Sequence, residues 1–241
     1  MTAPLDPNMA ETGLRHVRKA LPHDSAEKHV SGKAIYIDDI VEPVGTLHVV
    51  PGWARKAVRG KLGKLDLDKV RQAPGVVAVL TADDIPGTND CSSAFGDDPV
   101  LAQNEILFYG QVAFAVVAKT RDAARRAALL AGIEVEPITP IITPEDAVAA
   151  DITVLPDYQF RRGSPETGMT AAEKTLSGVM HIGGQEHFYL EGQVAMAIPQ
   201  EDGGMFVHSS TQHPTEIQHT VAKVLGVPDA AVTAEVRRMG G

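Results

Sequence analysis

Nine consecutive residues, Gly183, Gly184, Gln185, Glu186, His187, Phe188, Tyr189, Leu190 and Glu191, bring together a glycine pair, a neutral amide, two carboxylates, an imidazole and two aromatic rings. An ordinary half-buried strand alternates apolar and polar side chains and has no use for so much polar chemistry. The stretch therefore reads as a site. The glycine pair lets the backbone come close to a bulky group and take torsions closed to other residues. Gln185 offers an acceptor oxygen and donor hydrogens and does not titrate near neutrality, so it can hold an oxygen-bearing ligand at any working pH. His187 can act as a base or a metal ligand, and Glu186 and Glu191 as acid/base partners. Strand alternation sets Gln185, His187 and Tyr189 on one side and Glu186, Phe188 and Leu190 on the other. Phe188 and Leu190 are most simply core. A hydrogen-bonded structural histidine is the simpler reading of His187, because a metal site needs two further ligands and none stands at metal-ligand spacing here.

Other candidates are weaker. His208, His213 and His219 are close in sequence, yet His213 precedes a helix and the spacing does not bring all three onto one helical face. The run Ser209, Ser210, Thr211 lacks the Gly-x-Ser-x-Gly frame of a nucleophile elbow. Cys91 is the one cysteine, which excludes an internal disulfide and any Cys-based metal or iron–sulfur site within this chain. Its polar surroundings read as a surface loop. Arg55, Lys56, Arg59, Lys61 and Lys64 form the densest basic run and read as a solvated face rather than an anion site.

These residues need a scaffold, and 241 residues suffice for one large domain or two ordinary ones with a real core. The chain is 44% hydrophobic and 22% charged, as globular proteins are, with a net charge of −9 that argues against nucleic acid as the main partner. No stretch approaches the roughly 18 apolar residues of a membrane span, and the N-terminus has no signal-like apolar segment, so the expected location is the cytoplasm with no membrane partner. The pattern predicts short strands at residues 34–37, 46–50, 76–81 and 111–118, a capped turn at 81–87, a helix at 120–130 and a strand at 133–136. This α+β unit closes near residue 137. Three prolines stiffen residues 137–144, and a short helix follows at 144–150. A helical turn is expected at 169–174, then strands at 177–182, 193–198 and 205–210, with a hairpin marked by Asp202, Gly203 and Gly204. A helix at 214–225 starts with Pro214, carries Ile217, Val221, Val224 and Leu225 on one face, and precedes a strand at 232–236. The ending on a strand, two arginines and Gly240-Gly241, with no capping element, reads as a sheet cut part-way through a longer chain.

The run from Gly183 to Glu191, then Ser210, Thr211 and Gln212, then Val236, Arg237, Arg238, Met239, Gly240 and Gly241, resembles the molybdenum-binding part of the xanthine dehydrogenase family. The front half resembles that family's small α/β hammerhead domain, through the run from Ser31 to Asp39, Pro74-Gly75-Val76, the run from Ala82 to Gly87, and Gly110-Gln111. The resemblance implies an α+β fold: an N-terminal arm at 1–21, a hammerhead domain at 22–137, a connecting segment at 138–165, and the truncated start of a molybdopterin-binding domain at 166–241. It implies a hydroxylase that oxidises hypoxanthine or xanthine with a water-derived oxygen in purine catabolism. Gln185 would sit beside the oxo group of the molybdenum, Gly240 and Gly241 would begin a Gly-rich turn near the molybdopterin, and His187 and Glu191 would support the site from behind. No catalytic base falls within these residues; the family's lies beyond Gly241. FAD and [2Fe-2S] are expected on a partner subunit, as in the bacterial two-subunit type, giving a hetero-oligomer.

Two other readings stand beside this one. The same family includes aldehyde and carbon monoxide oxidising enzymes, against which the run Phe188-Tyr189-Leu190-Glu191 favours the xanthine branch. The chain can also act only as an assembly surface for the flavin and iron–sulfur subunit, or be an unrelated α+β binding protein.

Overall fold

A computed structural model describes residues 20–238 of the chain. Its first part is built on strand β5, Val112–Ala118, whose side chains Ala113, Phe114, Val116 and Ala118 are buried. An apolar run this dense belongs in the middle of a sheet, and β5 lies between β1, His48–Trp53, and β3, Val76–Leu80, antiparallel to both. Gly52 of β1 is paired with Phe114, and a Cβ there would stand 2.1 Å from the Phe114 ring, so only glycine admits the aromatic. Helix α3, Arg121–Ala128, covers this sheet against β1 and β5. Thr120 caps it by accepting the Ala123 N–H at 3.1 Å, and it buries Ala124, Ala127 and Ala128.

A second sheet orders β4, Glu105–Ile106, beside β2, Gly60–Asp66, beside β6, Gly132–Pro137, all antiparallel. Leu62, Leu65, Ile133 and Val135 face the same core as Leu67, Val70 and Ile106. Short helices flank these strands: α1, Ala26–Val30, before β1, and α2, Asp68–Arg71, between β2 and β3. Strand β2 arises from the basic run read in sequence as a solvated face. Lys61 and Lys64 stay exposed while Leu62 and Leu65 turn inward, and Arg55 stacks over the Trp53 ring at 4.7 Å.

After the short helices α4, Pro144–Ala149, and α5, Pro165–Ala171, the chain runs without regular structure to β7, Ala195–Pro199. Strand β8, Met205–Ser209, pairs antiparallel with β7 and parallel with β9, Val232–Glu235, the crossover being α6, Pro214–Leu225. The β7–β8 turn places Asp202 and Gly203 at positive φ, as the Asp-Gly-Gly signature requires. Here the core is small: Val207, Ala222 and Val232, with Met205, Ile217, Val221 and Val227 against them.

Two strands expected from sequence do not form. Residues 34–37 lead into a 3-10 turn, Ile37–Asp39, because the Asp39 carboxylate accepts the Tyr36 N–H at 2.9 Å and closes the chain on itself. Residues 177–182 are irregular and exposed, since no strand among the described residues lies beside them to complete a ladder. The predicted arm at 1–21 falls almost wholly outside the described residues.

Candidate functional site

Within residues 183–191 the structure separates one residue from the other eight. Gly183 through Leu190 are exposed, Phe188 at 94% and Leu190 at 84%. Gln185, Glu186 and His187 all face solvent without a regular element to hold them. Phe188 takes a positive φ of 55°, which sets aside the simple strand alternation expected there. Around Gly183 and Gly184 no heavy atom lies within 4 Å of where a Cβ would be, so one side of the backbone is open.

Glu191 is the exception, at 7% exposure. Its Oε1 accepts the N–H of Ile37 at 2.9 Å, across 154 residues of sequence. Ile37 opens the 3-10 turn, where the first N–H groups have no partner within the turn, so a carboxylate is the natural cap. The second oxygen, Oε2, is buried without a hydrogen bond. Glu191 thus ties the polar stretch to the turn at 37–39.

The histidines take separate roles. His213 Nδ1 accepts the Glu216 N–H at 3.1 Å and caps α6. His219 lies 2.8 Å from Asp229 Oδ2, while His208 is buried beside the Phe206 ring and 3.7 Å from Glu235 Oε2. Among the described residues no group of three or more His, Cys, Asp or Glu comes together to hold a metal. Ser210 receives the Val194 N–H on its hydroxyl at 2.9 Å and closes the entry to β7. Cys91 is an exposed free thiol whose partial desolvation, reinforced by Asp98 and Asp90, pushes its pKa up and away from nucleophilic character. Gly240 and Gly241 lie outside the described residues.

Sequence reasoning missed Asp90. It is 6% exposed and accepts from Ser92 N–H at 3.1 Å, Ser92 O–H at 3.0 Å, Asp98 N–H at 3.2 Å and the Lys223 ammonium of α6. The Lys223 ammonium, followed by these further donors, holds the carboxyl well below the usual range. The polar run from Thr88 to Ser93 reads as a surface loop, and the Lys223 partner of Asp90 stands 133 residues away.

Two family models divide the chain in the same order. The model described as "Aldehyde oxidase and xanthine dehydrogenase, a/b hammerhead domain" matches residues 31–138, and "Molybdopterin cofactor-binding domain" matches 147–241. The xanthine dehydrogenase/oxidase of Mus musculus is 37% identical over 226 residues, covering 93% of this chain and 17% of that protein. Aldehyde oxidase 2 of Macaca fascicularis is 36% identical over 227 residues, covering 93% of this chain and 16% of that protein. The chain therefore spans only 16–17% of the length of these relatives. Among solved structures, the aldehyde oxidoreductase from Desulfovibrio gigas aligns with a TM-score of 0.79 at 24% identity, over 90% of this chain and 26% of that one. The CO dehydrogenase from Oligotropha carboxidovorans aligns with a TM-score of 0.67 at 23% identity, over 90% of this chain and 30% of that one. These structural likenesses carry the fold. Sequence, domain order and fold agree: the chain carries the a/b hammerhead domain of the aldehyde oxidase and xanthine dehydrogenase family over residues 31–138, followed by a segment that matches a molybdopterin cofactor-binding domain over residues 147–241.

Proposed function

We propose that this chain forms part of a molybdenum hydroxylase that oxidises hypoxanthine or xanthine, with Gln185 as its contribution to the metal site. The observation that carries the reading is the run from Gly183 to Glu191, set inside a segment that matches a molybdopterin cofactor-binding domain. The residues present fit such a group in their chemistry. Gln185 is exposed, carries both donors and an acceptor, and keeps one charge state across the working range. Gly183 and Gly184 leave the backbone open on one side to a large neighbour. When bound, the molybdenum cofactor supplies the redox chemistry. Gln185 supplies a neutral hydrogen bond that can favour developing charge without titrating. Gly240 and Gly241 would contribute to holding the cofactor, and Glu191 would fix the C-terminal end of the polar stretch from behind, with His187 beside it.

The described residues put one open face, not an enclosure, around Gln185, so the 241 residues alone are expected neither to retain molybdenum nor to oxidise purine. FAD and [2Fe-2S] would lie on a partner subunit in a cytoplasmic hetero-oligomer. No helix among the described residues is long and apolar enough to cross a membrane. A second reading, oxidation of an aldehyde, is favoured by the 36% identity to aldehyde oxidase 2, which nearly equals that to the xanthine enzymes. Molybdenum content and the rates on xanthine and on an aromatic aldehyde, measured for the whole protein with its partner subunit, separate the readings. Bound molybdenum with faster xanthine turnover supports the first; faster aldehyde turnover supports the second. A whole protein that holds no molybdenum overturns both.

A further inference from the structure

The two family-matched segments meet at a joint that no single motif announces. The last carbonyls of α6 have no partner within the helix, and two of them point at the loop of residues 86–98 from the hammerhead segment. Val224 O accepts the Gly87 N–H at 2.9 Å, and Lys223 O accepts the Thr88 N–H at 3.0 Å. A Cβ on Gly87 would stand 2.2 Å from Lys223 O and 2.5 Å from the Gly226 N. Gly87 is not among the glycines with positive φ, so its torsions admit other residues. Glycine is needed there because α6 comes so close. Gly226 ends α6 at φ 69° in a left-handed cap, and it faces Gly87 in turn.

A third contact closes the same joint, the ion pair from Lys223 to the buried Asp90. The loop is stiff before it meets the helix. Asn89 exchanges two hydrogen bonds with Leu101, at 2.7 and 3.0 Å, and Cys91 N–H donates to Asp98 O at 2.8 Å. Beyond the helix, Gln218 Nε2 donates to Asp229 O at 3.1 Å and Val232 O at 2.8 Å, which carries the position of α6 on to β9.

We propose that the loop of residues 86–98 is a brace that fixes α6, and through it β9, to the hammerhead segment, with Gly87, Asp90 and Lys223 as its positioning residues. The brace does not rest on the functional reading above, and its test needs neither cofactor nor substrate. Hydrogen exchange of the 241-residue chain reads the joint directly, because the Gly87 and Thr88 amides sit in a loop and owe their protection to α6. In Lys223→Met the Gly87 and Thr88 amides should exchange about tenfold faster while those of Ala113 to Val116 keep their protection, and Lys223→Arg should restore the slow rates. Gly87→Ala should expose Thr88 more fully still. If that variant also loosens β5, the Lys223 pair decides alone. Unchanged protection at both amides in Lys223→Met, or a loss that Lys223→Arg fails to restore, overturns the brace.

Discussion

Residues 48–137 and residues 172–194 do opposite things with similar side chains. The first region encloses a core: Phe114, Val116, Leu67, Val70 and Ile106 are almost wholly buried between two sheets and α3. The second leaves Leu176, Val179, Met180, Ile182, Phe188 and Leu190 bare, each at 80% exposure or more. Apolar content does not separate them; topology does. Every strand of the first region has a neighbour within the chain, whereas residues 177–182 have none among the described residues. The polar site stretch therefore draws its position from the attachment of Glu191 to Ile37 rather than from a core of its own.

Substitutions can break that contrast, the largest effect coming from the enclosed region. Phe114→Ala removes a fully buried ring and should cost about 3–5 kcal/mol in urea unfolding of the 241-residue chain. A loss below about 1 kcal/mol would mean the core is not packed as described. In the smaller core, Val232→Ala deletes two buried methyl groups and should cost about 2 kcal/mol, read as loss of exchange protection in β8 and β9 before β5. Simultaneous loss in β5 would show one cooperative unit instead of two unequal cores. Glu191→Ala leaves the Ile37 N–H without its acceptor and should cost about 1 kcal/mol, with faster exchange at that amide; no change at Ile37 would remove Glu191 as an attachment. The smallest effect concerns pH. Because the Asp90 carboxyl is held below its unfolded value, its share of the brace is complete above about pH 4 and fades as pH falls further. Thr88 protection should be flat from about pH 5 to 8 after correction for intrinsic exchange. A rise or fall within that range would point to a different group.

Much of the enclosed region can be read from residue order. The apolar run of β5, the Thr120 cap of α3 and the Pro214 start of α6 are local signals, and each element forms within two residues of its expected bounds. The capped turn at 81–84 is equally local, with the Asp84 carboxylate accepting Thr81 N–H at 2.7 Å and Thr81 O–H at 2.9 Å. Strand β2 was hidden because lysines and glycines interrupt its period, and its inward Leu62 and Leu65 gain meaning only beside β6. Long-range pairs were invisible for a related reason: Asp90 with Lys223, and Glu191 with Ile37, join residues that no local pattern connects. The polar stretch was legible as chemistry and misread as a strand, since polar composition says what a segment can bind and not what lies beside it.

Gln185→Ala in the whole protein tests the functional account most directly. Gln185 is exposed and outside any regular element, so the substitution should change the unfolding free energy by less than about 0.5 kcal/mol. Turnover should nevertheless fall by about tenfold to a hundredfold at full molybdenum loading, as expected for removing one hydrogen-bonding partner from around a metal centre. Wild-type turnover in a fully loaded Gln185→Ala enzyme would contradict the placement of Gln185 at the metal.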